Sequence, residues 1–357
     1  MQISSKTGKL FSVFSLTLWI FAFGVSVGYA ALDNQKCTEC HTMHRSQDNQ
    51  VLSEWGAGGP YTALMVTSCA GCHTGTNQPG SMPYVMSSVA PLYGVTGTES
   101  NTNTLAGGSF YWVGDSASRG HNVYGIASAD PNLPLPPGFN GQDKAIDDSS
   151  PGGGIWLSGT QVTCAGIYGC HGTHAVEVES TAIRGGHHHG LENAITTASS
   201  EPGESYRMLL GVVGYEDPEW ELTPTATAHN QYKGVSLARD KTTISALCTR
   251  CHGDFHSEAG SATEGWTPHP VDYDMSDTAL DSEYRLYGGE TNLYQVAVPL
   301  ASTQVTAPKE FVLQGGDSII TCVSCHRAHG SPFEKLLRWD YSGSPGSGCV
   351  YCHTSKS

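Results

Sequence analysis

Twelve cysteines fall into six pairs, and a histidine stands directly after every pair: Cys37/Cys40-His41, Cys69/Cys72-His73, Cys164/Cys170-His171, Cys248/Cys251-His252, Cys322/Cys325-His326 and Cys349/Cys352-His353. Five of the six read C-x-x-C-H. Two thiols at that spacing can add to the two vinyl groups on one edge of a haem. The next residue then lies beneath the iron, where an imidazole binds it axially. A disulfide framework and structural zinc also use paired cysteines, but neither asks for a histidine after each pair. With 16 histidines in 357 residues, one such histidine is roughly a one-in-twenty coincidence and six together are negligible.

The third pair departs from the pattern, with five residues between Cys164 and Cys170. Gly166 and Gly169 inside that loop would let it bulge while both sulfurs reach one haem edge. The alternatives are a Cys164–Cys170 disulfide or a haem held by Cys170 alone. Every other cysteine already has a use, so the expectation is six haems c.

Six six-coordinate irons need six further ligands, and ten histidines remain: His44, His121, His174, His187, His188, His189, His229, His256, His269 and His329. Supply exceeds demand, which favours two histidines on every iron. Met43 is the methionine placed near a motif. His44, His174 and His329 lie three residues after an attachment histidine, and His256 lies four after. On a helical turn such a residue shares a face with the attachment histidine. It cannot reach the far side of the same haem, but it can reach the iron of a neighbour. His121, in Arg119-Gly120-His121-Asn122, and His269, gripped by Pro268 and Pro270, read as fixed distal ligands. The run His187-His188-His189 could place imidazoles on both sides of the chain, or form an exposed adventitious metal site. His229 is the weakest of the ligand candidates, the alternative being a hydrogen-bonding histidine in a turn.

Composition agrees with a fold built on cofactors. Charged residues are 14% of the chain against about 25% in an ordinary soluble domain, and 43 residues are glycine. Such a chain has few long helices or strands with which to bury apolar area. A net charge of −15 with no basic cluster excludes nucleic acid as partner. At the N-terminus, Lys6 and Lys9 precede the apolar stretch Leu10 to Val27, and Gly28-Tyr29-Ala30 follows. That is a signal peptide over 1–30, cleaved after Ala30, with an uncleaved anchor as the alternative. The stretches 80–160 and 258–320, rich in Gly, Ser, Thr, Pro and Asp, read as loops with short strands and turns. Tyr206–Val213 reads as a short helix or strand. No fixed-period repeat or sharp linker appears. The expected fold is therefore mostly irregular and loop-rich, with short helices and few short strands. It is one hexahaem domain over 31–357, organised around a stacked haem chain.

The chain resembles the outer-surface multihaem c-type cytochromes of metal-reducing bacteria that polymerise into extracellular conducting filaments. The resemblance is densest in Cys37-Thr38-Glu39-Cys40-His41-Thr42-Met43-His44, Gly120-His121-Asn122 and Cys248 through His256. It continues in His269-Pro270, Cys322 through His329 and the terminal Cys349–His353 site. It implies a continuous haem stack with every iron bis-His, and distal roles for His121, His174, His256, His269 and His329. It also implies that His44 ligates a haem of the adjacent subunit. The widened third site and the triple histidine depart from the pattern, so the ligand there becomes His187 or His188. The functional expectation is a secreted, non-enzymatic electron conductor at the outer cell surface. It would take electrons from upstream cell-surface cytochromes and pass them to an external acceptor. The alternatives are a monomeric periplasmic or surface-bound carrier, and a multihaem reductase with one open iron.

Overall fold

In the computed structural model the described residues are 46–47, 50–51, 69–94, 103–141, 151–188, 193–236, 240–256, 270–287, 292–312, 315–343 and 348–356. The leader over 1–30, the first pair with His41, and His44, His189 and His269 lie outside them. Of His188 and His256 only the backbone is described.

The elements are short because glycines and turn residues interrupt every apolar run. In chain order they are β1 (Ser46–Gln47), β2 (Gln50–Val51), α1 (Cys69–Cys72), α2 (Tyr111–Asp115), β3 (Thr163–Ala165) and β4 (Gly169–His171). Then come α3 (Glu179–Ala182), β5 (Ala194–Ile195), β6 (Gly214–Tyr215), β7 (Gln231–Tyr232), α4 (Ile244–Thr249), β8 (Tyr273–Asp274), β9 (Ile319–Ile320) and α5 (Cys322–Cys325). The strands β1–β2 and β8–β9 form antiparallel pairs, β5–β6–β7 an antiparallel triplet, and β3–β4 a parallel pair. The segment from Tyr206 is a 3-10 turn over Tyr206–Met208 that runs through a second turn into β6, neither the helix nor the strand expected of it.

Two apolar clusters hold the C-terminal half. In the first, Tyr206, Val212 and Tyr232 pack with Ile244 and Leu247 of α4 and with Ile319 and Val323. The second surrounds Tyr287, Tyr294, Leu300 and Trp339, and the partly buried Cys325, Cys349 and Cys352 pack against it. The helices α4, which holds Cys248, and α5, which holds Cys322 and Cys325, are each little more than one turn long. The Thr243 hydroxyl caps α4 by accepting the Ala246 N–H at 3.1 Å. Ser324 closes α5 by accepting the Thr321 N–H at 3.0 Å.

Asp274 ties β8 to β9. Burial alone would raise its carboxyl, but hydrogen bonds from Ser318, Ser276 and Gly316 hold it below its ordinary value of 3.8. A lowered folded-state pKa stabilises the protein above the ordinary value, and that contribution is lost as pH falls through the folded one. Asp274→Asn is expected to cost about 2–3 kcal/mol at neutral pH. The difference from the parent should close in acid, which denaturant titration over a pH series measures.

Candidate haem-binding sites

Each regular motif in the described region makes one α-turn. The histidine N–H donates to the carbonyl of the first cysteine in His73→Cys69 (3.0 Å), His252→Cys248 (3.0 Å), His326→Cys322 (3.0 Å) and His353→Cys349 (2.8 Å). Two thiols and an imidazole therefore leave the same turn at four places with one local geometry.

The third site reaches a comparable result by another route. β3 and β4 run parallel with Thr163 opposite Gly169 and Ala165 opposite His171. That register sets Cys164 opposite Cys170, on one face of two strands about 5 Å apart. Both are thiols rather than a disulfide. Gly166, at φ +93, makes the turn between them; a side chain there would meet the Val176 carbonyl at 2.6 Å. Arg250, which stands between Cys248 and Cys251, donates from its two terminal nitrogens to the carbonyls of Gly169 (3.0 Å) and Ile167 (3.1 Å). Glu179 accepts the Cys164 N–H at 2.7 Å.

Five of these histidines share a set-up that suits a metal ligand. Nδ1 lies against a backbone carbonyl in His73 (Pro83, 2.7 Å), His121 (Ala328, 2.6 Å), His171 (Arg207, 3.0 Å), His252 (Pro137, 2.7 Å) and His326 (Lys335, 2.8 Å). A carbonyl can only accept, so the proton sits on Nδ1 and the Nε2 lone pair is left for a metal. Burial keeps these rings neutral: it is the first cause lowering all five pKa values, and it helps bring His252 to about 4. Two of the accepting carbonyls are presented by non-glycine residues in the left-handed region, Arg207 (φ 50) before Met208 (φ 58) and Lys335 (φ 59) before Leu336 (φ 60). Backbone strain of that kind persists only where surrounding structure imposes it.

Three pairs of imidazoles face one another: His73 with His187 (centroids 6.1 Å), His252 with His121 (6.1 Å) and His171 with His329 (6.4 Å). A metal–imidazole bond of about 2 Å on each side, plus about 1 Å from nitrogen to ring centre, puts two ligands of one ion roughly 6 Å apart. The donor set and the gap thus fit an iron between each pair. His121 and His329 are set by glycines. The His329 N–H donates to the Gly107 carbonyl at 2.7 Å, and the Ser109 N–H to Gly330 at 3.0 Å. Gly108, at φ +84, passes so close to Gly330 that a Cβ would lie 1.9 Å from its carbonyl oxygen.

His174 is buried beside Cys170, whose carbonyl lies 3.5 Å from its Nε2. The imidazole facing His171 is His329. Of the triple run, His187 is the residue whose side chain is described, and its ring lies against His73. His229 is fully buried, with Nδ1 3.0 Å from the Thr225 carbonyl and its ring stacked on Tyr294 at 3.6 Å.

The thiols of successive motifs meet in sequence order. Cys69 is hydrogen-bonded to Cys164 and Cys248 to Cys322, and Cys170 lies near enough to Cys248 to raise its pKa. Burial and then Cys352 push the Cys325 thiol up to about 12. The ligand atoms of Cys69, Cys164 and Glu179 lie within 4.8 Å of one another. This is the junction of the second and third motifs, one ligand short of a tetrahedral zinc site.

Paired thiols each followed by a histidine, and imidazoles facing one another across an iron-sized gap, are the arrangement that covalent haem c attachment requires. The doubled CXXCH motif family matches residues 30–78 and 313–357. In sequence the chain is similar to the C-type cytochrome OmcS of Geobacter sulfurreducens, 25% identical over 358 residues that cover 85% of this chain and 78% of that protein. Two solved structures are also similar. The outer membrane cytochrome S filament from Geobacter sulfurreducens has a TM-score of 0.40 at 18% identity, covering 86% of this chain and 84% of that one. The OmcS nanowires from the same organism have a TM-score of 0.43 at 17% identity, covering 85% and 83%.

Proposed function

We propose that the mature chain, residues 31–357 as one domain, is an extracellular electron conduit that carries six haems c, each held by two histidines. The observation that carries this reading is the set of three histidine pairs at 6.1–6.4 Å, each joining an attachment histidine to one distant in sequence. Bound haem supplies one-electron redox chemistry. The protein's part is to fix ligands, spacing and solvent access. The Nδ1 contacts orient the rings, burial keeps them neutral, and the thiol contacts set the attachment sites in the order two to six. In this reading His187, His329 and His121 are the distal ligands opposite His73, His171 and His252. His44, His174, His188, His256 and His269 remain candidates for the other irons.

The chain is proposed to assemble with copies of itself into a filament, with His44 ligating a haem of the adjacent subunit. It would receive electrons from cell-surface cytochromes and deliver them to an external acceptor. The Cys37-to-His44 resemblance and the sequence similarity to OmcS support this assembly. Intact mass of secreted protein counts the haems, and electron microscopy of the same material shows the assembly. Six haems with filaments are expected. Fewer haems would overturn the cofactor reading, and dispersed particles under every condition would favour the monomeric carrier.

The glycine crossing gives a local test. Gly108→Ala would put a methyl into the Gly330 carbonyl at a left-handed position, costing about 2–4 kcal/mol. It should also draw His329 away from His171. The expected readout is a high-spin haem signal in the electron paramagnetic resonance spectrum, with the haem count unchanged.

A further inference from the structure

Three buried polar atoms without a hydrogen bond lie together beside the C-terminal motifs. The Nε2 of His229, the hydroxyl of Tyr294 and the indole nitrogen of Trp339 are all buried without a hydrogen bond. Tyr294 and Trp339 belong to the apolar cluster against which Cys349 and Cys352 pack, and Ala226, in the turn whose Thr225 carbonyl anchors His229, packs there too. Trp339 also lies directly over Gly348, the residue before Cys349, where a Cβ would sit 2.0 Å from the indole. An orphaned buried polar group costs about 1–3 kcal/mol, so three in one cluster imply a polar occupant that the polypeptide does not supply.

His229 has the configuration of the attachment histidines. Nδ1 points to a backbone carbonyl at 3.0 Å, which puts the proton there and leaves Nε2 as the donor atom. The Gln231 side chain lies beside the ring, close enough to raise the His229 pKa against the effect of burial, but its bonds within hydrogen-bonding geometry go elsewhere. Its nitrogen donates to the Leu300 carbonyl at 3.3 Å and its oxygen accepts the Lys309 N–H at 3.1 Å. Stacking on Tyr294 at 3.6 Å with 8° between the planes fixes the ring so that Nε2 cannot swing to another partner.

We propose that His229 is the second axial ligand of the haem attached at Cys349 and Cys352, opposite His353, with Tyr294 and Trp339 as hydrogen-bond donors to the propionates of that haem. The assignment rests on the six-haem reading above. It gives a definite ligand role, and a definite iron, to the histidine that is the weakest ligand candidate by sequence.

The test uses the full secreted protein and two variants, His229→Ala and His229→Met. Intact mass comes first: fewer than six haems in the parent would sink the six-haem reading itself. With six haems in both variants, His229→Ala should turn one haem in six from low-spin to high-spin, and added imidazole should restore it. His229→Met should give one histidine–methionine haem, visible as a far-red charge-transfer band and a raised potential for one site. Six low-spin bis-histidine haems in either variant, with six attached, would overturn the proposal. If His229→Ala fails to mature, the spectrum of His229→Met decides.

Discussion

Replacing Cys164 and Cys170 together with alanine is expected to release a protein one haem short, with about one sixth of the haem absorbance gone. The remaining five motifs do not depend on the β3–β4 register and should keep their haems. Stability should fall by about 5 kcal/mol or more, because emptying the space of even one large aromatic side chain costs about 3–5. Electron passage through the chain should fail as well. The thiols of the third motif meet Cys69 on one side and Cys248 on the other, so a gap there divides the remaining sites into two groups. Haem-staining gels, intact mass and conductance of the purified material measure the three effects. The single variants separate the readings of this motif. A covalent haem retained in Cys164→Ala would show attachment through Cys170 alone, and an unchanged mass in the double variant would remove the sixth haem from the account.

The four regular motifs in the described region were legible from their spacing because that geometry is local: one α-turn carries both thiols and the imidazole, whatever surrounds it. The loop-rich fold was legible for a similar reason, since glycine and turn residues interrupt every apolar run. The pairing of the imidazoles was only half legible. The rule that a trailing histidine reaches a neighbouring site picked out His329, but nothing local states that the neighbour is His171. That pairing depends on Gly107, Gly108 and Gly330 crossing from segments more than two hundred residues apart. His174, equal to His329 by spacing, is buried next to Cys170 instead. That His187 meets His73 was not legible either, because it depends on the 3-10 turn at Gly186–His188. The carbonyls that orient His171 and His326 come from left-handed Arg207 and Lys335, residue types that carry no sequence signal for that conformation.

Arg250→Met should weaken the third site without touching a thiol or a ligand. In the folded chain the two terminal nitrogens of Arg250 hold the carbonyls of Ile167 and Gly169, two residues inside the loop that widens the motif. Methionine keeps the length and apolar stem but offers no donor, so two carbonyls inside the protein lose their partners at about 1–3 kcal/mol each. A total loss of about 2–4 kcal/mol is expected, within the range of a strongly destabilising single substitution. The effect on maturation should be more selective. The loop has glycine at both ends of its turn and little packing of its own. Once released from Arg250, it no longer fixes Cys170 opposite Cys164, so a fraction of molecules should leave the cell with five haems. Lysine at the same position retains the charge but cannot bridge two carbonyls with one planar fork. Arg250→Lys should therefore resemble Arg250→Met in haem count. If lysine restored full occupancy, the charge beside Cys170, which lowers the thiol pKa against the effect of burial, would be the operative property. Intact-mass distributions of the two variants, set against the parent, distinguish a geometric clamp from an electrostatic one. The position of Arg250 inside the fourth motif means that attachment at one site is coupled through a single side chain to the shape of the site before it.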